Sequence, residues 1–363
     1  MASNDSFDCS GSIATRAPLV FADEKRLGRL FDGLALFATV FAFAVIVLGA
    51  WVRLSDAGLG CPDWPGCYGH LDVPAEPHEV ARANQAFPER PVEIHKAWKE
   101  MIHRYFAGTL GLLILSLAVL AFRLRRRPGQ PVILPFVALG VVVLQALLGM
   151  WTVTIQLNPT IVMLHLIGGF TTLSLLWWIA LSRPSGRLPR LTAKVGGRLR
   201  GLALVALLLV IGQIMLGGWT SANYAALHCP DFPTCQGQWW PPMDFREAFV
   251  PWRGTETNFE GGVLDNDARV AIHVTHRLGA LTVAIFLLVL FGLLHRQRQS
   301  ARLRRFAWVL LAAVILQITL GISNVVFGLP LAVAVAHNGG GALLLLVLVT
   351  LNHLLHFRHP VRA

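Results

Sequence analysis

The chain has 363 residues, of which 55% are hydrophobic and only 14% charged, and its mean hydropathy is +0.58. Soluble domains carry about 25% charged residues, so the composition excludes an ordinary soluble enzyme. The net charge of +11 is no mark of a nucleic-acid partner, because the basic residues gather in short runs between apolar segments and read as topology determinants.

Residues 1–30 form a polar tail, read as a cytoplasmic lead-in. The apolar run that follows is long enough to cross a bilayer, which takes ~20 apolar residues, so it reads as a span and not as a cleaved signal. Spans are predicted at Phe31–Val52, Met101–Phe122, Val132–Thr154 and Ile161–Leu181. After a cytoplasmic linker over 183–200, four more follow at Leu202–Ala222, Val270–Leu294, Phe306–Phe327 and Leu331–His356. The tail, the run Arg123–Arg127, the segment Arg183–Arg200, the run Arg296–Arg305 and the C-terminus hold 21 of the 31 Lys and Arg. All of them fall on one side of an eight-span chain. The long loops Leu54–Lys99 and Asn223–Arg269 fall on the other side and carry most of the 20 acids. The positive-inside rule makes the basic side cytoplasmic, with both termini inside.

The two sets of four spans repeat each other. LGAWVRLSDAGLGCPDWPGCYG from Leu48 pairs with LGGWTSANYAALHCPDFPTCQG from Leu216, and KEMIHRYFAGTLG from Lys99 with HVTHRLGALTV from His273. LQALLGMWTV from Leu144 pairs with LQITLGISNV from Leu316, and IVMLHLIGGF from Ile161 with AVAVAHNGGGAL from Ala332. The offset stays between 168 and 173 residues, and each copy holds an even number of spans, so the copies share one orientation, unlike inverted transporter repeats. The expected fold is an all-α integral membrane protein whose eight transmembrane helices form two tandem pseudo-symmetric four-helix bundles, over 31–182 and 201–357.

Of 13 histidines, His70, His78, His95 and His228 lie in outer loops, and His295, His353, His356 and His359 at inner helix ends, where a solvated or interfacial role suffices. His103, His165, His276 and His337 lie inside spans, where an ionisable side chain is functional by default. A buried histidine bonded to a backbone carbonyl is an ordinary alternative for any one of them. Four at similar depth, spaced by 62 residues in one half and 61 in the other, are better read as two pairs of facing imidazoles, each able to hold a haem iron. Zinc fits less well, since it takes three or four protein ligands. Arg104 and Arg277 follow two of these histidines and suit either haem propionates or snorkelling to headgroups.

The repeat breaks where Glu100 stands opposite His273. Glu100 is one helical turn before His103 and shares its face, which suits proton transfer at the edge of a first haem. The rival is an interfacial carboxylate paired with Lys96 or Lys99. Cys61 with Cys67, and Cys229 with Cys235, bracket CPDWPGC and CPDFPTC in loops on the oxidising side, so two intraloop disulfides are expected. The long stretch Leu71–Lys99 is assigned no role.

Together these features resemble haem A synthase, the bacterial type of a cytochrome oxidase assembly family, over nearly the whole chain after the tail. The resemblance rests on the duplicated halves, ExxHR at Glu100–Arg104, HxxHR at His273–Arg277 and the two later histidines. It implies an inner-membrane oxidoreductase that converts a ring methyl of haem O to a formyl group, with oxygen drawn from water, to give haem A for terminal oxidases. His103 and His165 would bind the substrate haem, Glu100 would act at the reacting methyl, and His276 and His337 would hold a permanent haem B. Implied partners are haem O synthase as supplier and an electron acceptor the sequence does not identify. Small-residue helix faces permit association of copies. Two rivals stand beside this reading: a di-haem b-type cytochrome that only moves electrons, and a carrier with parallel repeats.

Overall fold

The computed structural model describes residues 17–182 and 196–356. The start of the tail, most of the basic linker and the last residues, His359 among them, lie outside the described residues. Among the described residues, eight helices are long and apolar enough to cross a membrane. In chain order the helices are α1 (Ala17–Leu54), α2 (Pro77–Ala86), α3 (Ile94–Arg123), α4 (Ile133–Thr154), α5 (Pro159–Leu181), α6 (Gly197–Ala222), α7 (Phe245–Ala248), α8 (Asn266–His295), α9 (Ala301–Val326) and α10 (Leu331–His356). The short α2 and α7 belong to the two long loops.

Several helices outrun the apolar segments that announce them. α1 begins at Ala17, so the second half of the tail expected over 1–30 is helical. Its Ala, Leu, Lys, Arg and Glu residues favour helix whether or not lipid surrounds them. α3 begins at Ile94, which removes the last turns of the expected loop Leu71–Lys99. α6 begins at Gly197, inside the expected linker. Side chains set other starts: Asp265 accepts from Ala268 N–H at 3.0 Å before α8, Ser300 accepts from Leu303 N–H at 3.3 Å before α9, and Asn158 with Pro159 opens α5, the preferred N-terminal chemistry.

Packing follows the repeat. In the first half α1 touches α3, α3 touches α4, α4 touches α5 and α5 returns to α1. The second half closes the same ring through α6, α8, α9 and α10. The rings meet through α1 with α10, α5 with α6, and α5 with α10. Fully buried residues such as Phe31, Ile114, Leu173, Leu287 and Leu348 form one apolar core through both rings.

The two long loops are packed structures. Cys61–Cys67 and Cys229–Cys235 are disulfide-bonded. The first bridge lies in a small core with Tyr68, Val73, Ala83 of α2, Ala97 and Met101, so the stretch after Leu71 folds back over the bridge. Burial pushes the Tyr68 phenol above its ordinary range, and its hydroxyl donates to Pro91 O at 3.2 Å. In the second loop, the Thr234 hydroxyl and then the N–H groups of Gly237 and Gln236 hold the Asp231 carboxyl below the usual carboxylate range.

The second loop also reaches across the first half. Phe259 N–H donates to Gln156 O at 3.0 Å, Asn158 Nδ2 donates to Gly254 O at 3.0 Å, and Arg90 pairs with Glu260 at 3.2 Å. The Phe259 ring is buried among Leu59, Val153, Leu157 and Val162 of the first half. Arg53, at the end of α1, donates to Ser221 O at 2.9 Å and lies over the Tyr224 ring at 4.2 Å.

Candidate functional site

In each ring the histidine-bearing helices are diagonal neighbours. α3 carries His103 and α5 carries His165, and these two helices do not touch; the same holds for α8 with His276 and α10 with His337. His165 lies close to His103, and His337 close to His276.

Each imidazole lies on a glycine of the preceding long helix. A Cβ added at Gly49 would stand 2.9 Å from the His103 ring, at Gly149 3.3 Å from that of His165, at Gly217 3.2 Å from that of His276 and at Gly321 3.2 Å from that of His337. Any larger residue would push the ring away. Nδ1 of His103, His165 and His337 is buried without a hydrogen-bond partner. This departs from the ordinary structural histidine, whose buried nitrogens are satisfied, and it suits rings kept ready for a ligand. Among the described residues, no three His, Cys, Asp or Glu side chains gather into a metal site. A haem iron needs only two facing imidazoles, and the two diagonal pairs fit that donor set.

Glu100 and Arg104 sit at the loop-facing edge of the first pair. Glu100 is 5% exposed. Its Oε1 accepts from Arg104 Nη2 at 2.5 Å and its Oε2 from Cys61 N–H at 2.9 Å. The alternative pairing with Lys96 or Lys99 is not what forms: Lys96 goes to Glu93 and Asp56, and the Lys99 ammonium lies over the Trp51 ring at 5.1 Å. Arg104 also donates to Asp63 O at 2.9 Å and to Gly66 O. In the second half Arg277 donates to Thr234 O at 2.8 Å and to Cys229 O and Asp231 O at 2.9 Å each. Both guanidinium groups thus point into the disulfide loops and clamp them to the helices. His273, opposite Glu100 in the repeat, is buried with Nδ1 3.2 Å from Ala225 O.

Sequence reasoning left the seating glycines unassigned, along with three glutamines. Gln145, Gln213 and Gln317 donate to the main-chain oxygens of His165, His276 and His337. Their common signal is a glutamine four residues before the seating glycine. His353, read as solvated or interfacial, is instead buried beside Trp178, with ring centroids 5.1 Å apart.

The family model for COX15-CtaA, cytochrome oxidase assembly protein, matches residues 33–349. The chain is 50% identical over 316 residues to the Heme A synthase of Shewanella oneidensis, covering 87% of this chain and 94% of that protein. It is 29% identical over 334 residues to the Heme A synthase of Caulobacter sp. strain K31, covering 86% and 92%. It is 29% identical over 344 residues to that of Paracoccus denitrificans, covering 88% and 86%.

Proposed function

Since the chain belongs to the COX15-CtaA family of cytochrome oxidase assembly proteins, we propose that it is a haem A synthase, oxidising a ring methyl of haem O to the formyl group of haem A. The observation that carries this reading is the unequal pair of positions at Glu100 and His273. The two sites otherwise match in helices, glycine seats, arginine clamps and disulfide loops. One has a buried carboxylate a turn from its histidine, and the other has a histidine next to a backbone carbonyl. The carboxylate of the first site suits taking and returning protons at a reacting carbon, whereas the Nδ1 of His273 is engaged by a loop carbonyl.

In this reading the first half, 31–182, binds haem O between His103 and His165. Each oxidation step that draws oxygen from water releases two electrons and two protons, and loss of water from the twice-hydroxylated carbon leaves the formyl group. Glu100 takes the protons at the methyl, and Arg104 stabilises its carboxylate between transfers. The clamped loops above both pairs exclude bulk water. The second half, 201–357, holds haem B between His276 and His337; when bound, that group supplies one-electron redox chemistry, and the electrons pass to an external acceptor. Where a propionate reaches Arg104 or Arg277, it shares the guanidinium with the loop carbonyls. The basic helix ends face the cytoplasm, and the protein resides in the bacterial inner membrane beside the haem O synthase that supplies it.

The test co-expresses the chain with a haem O source and chromatographs the extracted haems beside Glu100→Gln. The expected result is haem A or hydroxylated haem O from the native chain, with the variant stalled at haem O and its total haem unchanged. Haem B alone from both, at two per chain, would overturn the proposal in favour of the di-haem electron-transfer cytochrome.

A further inference from the structure

Each half is built from two helix pairs, and a second pattern runs through three of the four pairs. Gln145 on α4, Gln213 on α6 and Gln317 on α9 each stand four residues before the glycine on which the partner helix's imidazole lies. Each amide Nε2 donates to the main-chain oxygen of that histidine, at 2.8 Å for His165, 2.9 Å for His276 and 3.1 Å for His337. The carbonyl has a second lone pair beyond the one its own helix uses, so the bond ties two helices together at the level of the imidazole. Room for the amide comes from a glycine three residues after each histidine: a Cβ at Gly168, Gly279 or Gly340 would overlap the glutamine Oε1.

The pair α1 and α3 has neither part. Val45 stands four residues before Gly49, and Phe106 three residues after His103. Valine has no donor for the His103 carbonyl, and the Phe106 ring stacks on Phe41 of α1 at 5.4 Å. Two substitutions on two helices coincide, and they do so at one histidine of the four.

We infer that Gln145, Gln213 and Gln317 are positioning residues that lock three of the four imidazoles to their neighbouring helices, and that the unbraced His103 is the one that releases iron when haem enters or leaves the first half. This rests on the haem-binding reading above. Shifts of 1–2 Å between packed helices are a common switching motion, and such a shift is enough to part an imidazole from an iron. A brace on the ligand's own carbonyl resists it. The first half must exchange product for substrate at each turnover and has one braced ligand. The second half keeps its group and has two.

The test uses the purified full chain loaded with haem B, reduced and mixed with carbon monoxide, which binds only where an axial position opens. In the native chain one of two haems is expected to take carbon monoxide. Val45→Gln with Phe106→Gly builds the missing brace, and the rate at that haem is expected to fall roughly 2- to 10-fold, the effect of one hydrogen bond, with haem content unchanged. Gln213→Leu removes a brace, and the second haem is expected to begin binding carbon monoxide. Equal uptake by both native haems, or rates indifferent to the variants, would overturn the inference. Should the double variant fail to fold, Gln213→Leu decides alone, and no new uptake sinks the idea. A native chain that takes up no haem would fail the haem-binding reading itself and the brace with it.

Discussion

Arg104 joins a helix, a carboxylate and a loop through one guanidinium, and its neighbours show what its removal would do. Its side chain and that of Glu100 are 13% and 7% exposed, so Arg104→Leu leaves a buried carboxylate facing the backbone N–H groups of Cys61 and Gly60 without a counter-charge. Breaking a buried pair destabilises by about 3–5 kcal/mol. Arg277→Leu leaves loop carbonyls without donors but no buried anion, which costs about 1–3 kcal/mol. Thermal unfolding in detergent is expected to show the larger loss for Arg104→Leu; equal losses would mean that the carboxylate does not depend on the pair. At this scale the four intramembrane histidines stood out because an ionisable group in an apolar run is rare, and four at matched repeat positions rarer still. The target of the two arginines was not: carbonyls aimed by a folded loop leave no trace in residue type. The glutamines were visible but mute, since a buried amide means nothing until the helix facing it is known.

Helix pairs are the units that hold the imidazoles, and the seating glycines test them directly. Gly217→Val places branched carbons where a single Cβ would already be 3.2 Å from His276. Overpacking of this kind costs about 1–3 kcal/mol and turns the ring out of line. The expected outcome is about one haem per chain instead of two, read from the haem absorbance of purified protein. Gly212→Val is the control: nothing lies within 4 Å of a Cβ there, and haem content is expected to stay at the native level. Existence and order of the eight long helices were legible because each crosses lipid as a continuous apolar run. Their ends were less so. Ile94–Lys99 and Ala17–Leu30 continue as helix with charged residues interspersed, where local propensity and the packing of Ala97 decide. The fold of Leu71–Lys99 over the first disulfide depends on Tyr68, Ala83 and Phe87 meeting from separate segments, which no local pattern announces.

The two rings are held as one body by contacts of long sequence separation. Phe259, 1% exposed, is the apolar anchor of the crossing strap. Phe259→Ala removes it at a cost of about 3–5 kcal/mol, and amide hydrogen exchange over residues 251–262 is expected to speed up while that of α6 and α8 stays unchanged. Uniform acceleration across the second half would show that the anchor supports the whole bundle and not the strap alone. The duplication made the twin rings legible, because Cys, His, Gln and Gly stay in step across both copies. The strap was not legible, since its partners are far away in the chain. That crossing also orders events during synthesis. Asn158 and Gly254 are 96 residues apart, and at 5–20 residues per second the ribosome takes roughly 5–20 s to travel between them. For that interval the nascent first half stands without the strap across its loop end, and it is finished only when the second half has begun.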